Sequence, residues 1–289
     1  MKSIKKVNWK PVALSCFFVL LAGGAVYFFC FSPAFQIKEV KIQGNDFVEV
    51  QQIKSAVDGF LQTKKMKFLS QDRLPVLAAS DLENILLDEF PVLESAAIKK
   101  ILPATLAISV SERQTAIVWC RCKKPENIIL PSPEPISTST ASSSPAIAVE
   151  VPKTIPESEK CFFADKNGII FRDAPQISGT ILPTVYQLTE SEMSLKSRPI
   201  SSSTVQFIVD AKKSLREINI ESVGFLEDDK DESDIQVLTG ESWWIYFGVD
   251  RGASGQITYL SALLDQEIKD NRAGLKYVDL RIPGRIYYK

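Results

Sequence analysis

The chain has 289 residues, with 34 lysines and arginines against 35 aspartates and glutamates, a net charge of −1 and no histidine. Without histidine, neither a Ser–His nor a Cys–His base arrangement can be built, and the balanced charge with no basic stripe argues against a nucleic-acid partner. Five cysteines, two of them (Cys16 and Cys30) in the first apolar run, are too few for a disulfide scaffold.

Residues 12–31, VALSCFFVLLAGGAVYFFCF, hold twenty positions without a charge. At about 1.5 Å per residue they cover roughly 30 Å, the thickness of a bilayer's hydrocarbon core. Lys2, Lys5, Lys6 and Lys10 precede them with no acidic residue. This pattern predicts a single transmembrane helix of type II orientation, with residues 1–11 cytoplasmic and the remainder extracytoplasmic. The small residues Gly23-Gly24-Ala25 are followed by more apolar sequence, which argues against a cleaved leader.

The next elements are predicted in the order strand, helix, helix, strand, strand. Phe35, Ile37, Val40 and Ile42 make an apolar ladder ending in Gly44-Asn45, a turn signal. Ile53, Ala56, Val57 and Phe60 recur at helical spacing. Ser80-Asp81-Leu82-Glu83 reads as a capping box for a helix bearing Leu82, Ile85, Leu86 and Phe90, ended by Pro91. Residues 92–101 read as a strand. Leu106, Ile108 and Val110 then alternate with small or polar residues, as in a half-buried strand, with Pro103 at its start and Glu112-Arg113 at its end.

The runs F-x-I-x-x-V-x-I-x-G-N at 35–45, F-P at 90–91 and L-P-x-T-L-x-I-x-V-x-E-R at 102–113 together resemble the POTRA domain of the FtsQ/DivIB cell-division family. Trp119 stands where that family often has a tryptophan, whereas Gln114 and Thr115 replace a common proline. The resemblance implies a POTRA domain over residues 35–121.

Residues 123–160 are rich in Pro, Ser and Thr, without an aromatic or a glycine, and are expected to be a disordered insertion at a loop tip. They interrupt a hairpin between WCRC and CFFADKNGIIFRD, whose Asn167-Gly168 supplies a turn. Cys120, Cys122 and Cys161 are expected as small core hydrophobes; a Cys122–Cys161 or Cys120–Cys161 bridge across the hairpin is the alternative.

A helix is predicted over 203–217, strands near 218–226, 234–239 and 242–249, and a helix near 255–270. Glu227-Asp228-Asp229-Lys230-Asp231-Glu232 is expected as a solvated loop, Gly252-Ala253-Ser254-Gly255 as a helix start, and Trp243-Trp244 as one core and one surface ring. The hairpin at 162–171, Ile181-Leu182-Pro183 and the closing Tyr277-Val278-Asp279-Leu280-Arg281 … Arg285-Ile286-Tyr287-Tyr288-Lys289 resemble landmarks of the same family's β domain, here 161–289.

The fold expected is therefore α+β: a transmembrane helix, a POTRA domain ordered βααββ, then a mostly antiparallel β domain. No enzyme, cofactor or metal site is expected, since the only S-x-x-K, Ser3 to Lys6, precedes the apolar run. The last strand can simply complete the sheet, or leave an open edge for another chain. The resemblance implies the second: a divisome scaffold capturing FtsB/FtsL-type (DivIC/FtsL-type) partners at Tyr277, Val278, Asp279, Leu280, Arg281, Ile286, Tyr287 and Tyr288. The rival readings are a POTRA-containing protein of envelope assembly or secretion and a membrane-anchored wall-modifying enzyme.

Overall fold

In the computed structural model, residues 9–66, 69–123, 155–175, 181–228, 231–269 and 271–289 are described. The chain divides into two units, Met1–Arg113 and Gln114–Lys289. The core of residues 123–160, positions 124–154, lies outside the described residues, as do 229–230 of the acidic run.

The first unit begins with helix α1, Trp9–Phe31. Here the expected fold class needs correction: among the described residues no helix is long and apolar enough to cross a membrane.

Beyond α1 come β1 (Glu39–Gln43), α2 (Val50–Leu61), a small hairpin of β2 (Lys64–Met66) and β3 (Leu69–Ser70), α3 (Ala79–Glu89), β4 (Leu93–Ile101) and β5 (Thr105–Glu112). The sheet order is β1-β5-β4, with β1 parallel and β4 antiparallel to the central strand. Leu106, Ile108 and Val110 all point into the core, where Ile53, Val57, Leu82 and Leu86 of the two helices meet them. Gly44 turns at φ +87°, and a Cβ there would stand 2.1 Å from the Val110 carbonyl oxygen, so only glycine fits this crossing.

Two sequence signals in this unit have other roles than expected. Ala78, not Ser80, precedes α3, and no side chain of its own caps the helix. The buried Gln71 instead accepts from the Ala78 N–H at 3.1 Å. Glu112 receives the N–H groups of Asp46, Phe47 and Val48 at 2.9–3.0 Å, fixing the loop that enters α2, while Arg113 donates to the Pro91 carbonyl. The terminal acid–base pair thus clamps two loops to β5. Pro103 follows a cis peptide in the β4–β5 turn.

In the second unit the strands are β6 (Ile117–Cys122), β7 (Ser158–Ala164), β8 (Ile170–Ala174), β9 (Thr184–Leu188), β10 (Ser222–Asp228), β11 (Asp231–Thr239), β12 (Trp244–Gly248), β13 (Tyr277–Asp279) and β14 (Tyr287–Tyr288). They form one sheet ordered β14-β13-β12-β11-β10-β9-β6-β7-β8. Ile117–Cys122, grouped by sequence with the preceding domain, belongs to this sheet because it pairs with both β7 and β9. Helix α4 (Ser202–Glu217) and helix α5 (Ala253–Leu263, continuing as a π-helical turn to Ile268) cover one face. Val205, Ile208 and Leu215 of α4 and Ile257 and Leu260 of α5 pack there on Trp119, Phe225, Phe247 and Val278.

The opposite face carries its own buried cluster of Cys122, Leu188, Leu226, Leu238, Trp244 and Tyr246. Trp243 and Trp244 therefore point to opposite faces, but both are buried, and the expected surface ring is corrected. The acidic run is corrected in part: Glu227 is a buried residue of β10, where its carboxylate accepts from Gln187 at 3.2 Å. In the β7–β8 hairpin only Gly168 has a positive φ; Asp165 holds the turn by accepting from the N–H groups of Asn167 and Ile169.

Cys120 and Cys161, opposed in the β6–β7 register, form a disulfide, while Cys122 is a buried free thiol. The expectation of three thiols gives way to a bridge closing a sequence separation of 41 residues. Restricting a loop of that length in the unfolded chain is worth about 4 kcal/mol in the chain-entropy account. The double variant Cys120→Ser/Cys161→Ser should lose stability of that order in urea denaturation, and a change below about 1 kcal/mol would contradict it.

Burial, assisted by the negative charge of Glu159, pushes the Cys122 thiol up to about 12. Burial likewise raises Tyr186 and Tyr246, with the thiol of Cys122 adding to the first. Each group holds its proton more tightly when folded, so its contribution is fully present below its unfolded value and fades as pH rises beyond it. The second unit should therefore lose stability above the ordinary thiol value of 9.0. Its urea midpoint at pH 10 is expected below that at pH 7; equal midpoints would remove this explanation.

Candidate functional site

The closing segment separates into a buried support and an exposed rim. Val278 and Leu280 are core residues, 0% and 3% exposed. Asp279 is buried too, and its carboxylate accepts from the Arg281 backbone N–H and from Nε and Nη2 at 2.9–3.0 Å. The Arg281 Nη1 reaches the Asp234 carboxylate of β11 at 2.6 Å, and its guanidinium lies over the Tyr246 ring of β12. Burial alone would lower the Arg281 pKa, but hydrogen bonds to Asp279 and Asp234 outweigh it and hold the group charged. Tyr277 packs edge-on against Tyr246 with ring centroids 5.9 Å apart.

A second tie comes from the 3-10 turn Val249–Arg251 that leads into α5. Arg251 Nη2 donates to the Leu280 carbonyl and to the Oε1 of buried Gln256. Gln256 in turn bonds Gly248 through both its N–H and its carbonyl. The end of β13 is thus fixed by ionic, aromatic and amide contacts from three elements.

From Arg281 the chain turns through Ile282–Arg285, with Gly284 at φ +72°, and returns as β14. The register pairs Val278 with Tyr288 and Asp279 with Tyr287, and the Lys289 N–H donates to the Tyr277 carbonyl at 3.2 Å. In an antiparallel ladder successive residues alternate in bonding direction. Tyr287 and Lys289 therefore face β13, while the peptide groups of Ile286 and Tyr288 face outward. Tyr288 is 48% and Ile282 44% exposed.

Of the eight residues expected to bind, Val278, Asp279, Leu280 and Arg281 thus build the support, and Tyr277 stacks beside it. Ile286, Tyr287 and Tyr288 form the rim, with Ile286 also packing against the core. Asp234 and Tyr246 went unread in the sequence, since nothing local couples Arg281 to a residue 47 positions away.

The other end of the sheet is closed differently. At β8 the Ile170 N–H donates to the Ser197 carbonyl and its own carbonyl accepts from Lys196. The remainder of that strand carries Arg172, set over the Phe163 ring, and Asp173, paired with Lys160 at 3.2 Å. A capping loop and charged side chains are the usual devices that blunt an edge. Among the described residues no loop backbone is hydrogen-bonded over β14, whose flanking charges are Arg285, bonded to the Tyr287 hydroxyl, and Lys289.

Residues 35–113 match the family model for a POTRA domain, FtsQ-type. No curated protein matches the chain.

Proposed function

We propose that this chain, a member of the FtsQ/DivIB family through its FtsQ-type POTRA domain at residues 35–113, is a non-enzymatic scaffold of bacterial cell division. The family is one of division-related envelope proteins, built for protein–protein contact. In this reading the first unit is the POTRA module and Gln114–Lys289 is the β domain that captures partners. The partners are FtsB/FtsL-type coiled-coil proteins (DivIC/FtsL-type in other lineages), recruited for septum formation. One of them adds a strand to β14, taking main-chain hydrogen bonds from Ile286 and Tyr288 and aromatic contact from Tyr287 and Tyr288.

The observation that carries this reading is the asymmetry of the nine-stranded sheet: β8 is capped at Ile170, whereas β14 keeps outward peptide groups. The Cys120–Cys161 disulfide supports an oxidising compartment for this unit.

A fluorescent fusion at the N-terminus, imaged in dividing cells, is expected to form a band at the constriction site. A uniform envelope signal throughout division would sink the scaffold reading in favour of envelope assembly or secretion.

A further inference from the structure

No further inference is drawn: the strongest candidate, the exposed apolar patch of Ile101 and Leu102 where β4 turns into β5, carries nothing, because nothing in the structure shows what covers it.

Discussion

Removing residues 282–289 is expected to abolish capture of an FtsB/FtsL-type coiled coil while leaving the first unit folded. The truncation ends at Arg281, so the Asp279–Arg281–Asp234 cluster stays intact and only the hairpin return and β14 are lost. Tyr288→Pro is the finer probe. Its N–H faces away from β13, so proline removes a donor offered to an added strand but none used within the sheet. Each ladder bond contributes on the order of 1 kcal/mol, and proline also obstructs its neighbour, so affinity should fall at least about tenfold. Tyr288→Ala keeps the N–H and should lose less than Tyr288→Pro. Full-strength binding by the truncated chain, measured with purified partners, would count against strand addition at this edge.

Arg281→Ala is expected to destabilise the second unit by roughly 3–5 kcal/mol, the cost of leaving a buried carboxylate without its partner. The carboxylate concerned is Asp279, whose side chain is 1% exposed against 19% for Arg281 and 27% for Asp234. The effect should not stop at stability. Arg281 sits where β13 ends and the chain turns towards β14, so its loss loosens the rim that partners would meet. Asp279→Leu/Arg281→Leu, which removes both charges at once, should recover part of the stability. Urea denaturation followed on the second unit decides the matter. A loss below about 1 kcal/mol for Arg281→Ala would show that the cluster is not the support described.

The two expectations bear on how much could be read from residues alone. The ladder Leu106, Ile108, Val110 was legible because a strand with one buried face writes its period into the sequence. So was α4, predicted within a residue of its bounds, with Ser201 at its N-cap. Trp244 and Glu227 were misplaced for one reason: β10 and β12 are covered on both faces, so no alternation marks the second face. The disulfide was visible only as alternatives, since the register that opposes Cys120 to Cys161 is set by the fold. In the C-terminal motif, the family-like residues Val278 to Arg281 were the conspicuous ones, yet the structure assigns them to support. The rim of half-buried Ile286 and exposed Tyr288 is less distinctive, because strand addition draws on backbone groups that any residue has. The uncharged run of residues 12–31, with the lysines ahead of it, was read as a membrane span, yet among the described residues no helix is long and apolar enough to cross a membrane.

Amide hydrogen exchange of the full-length chain with and without a purified FtsB/FtsL-type coiled coil tests the central claim most directly. The predicted result is new protection at the Ile286 and Tyr288 amides, with β8 unchanged. Protection that appears at β8 or elsewhere, while the C-terminal amides exchange as in the free chain, would contradict it.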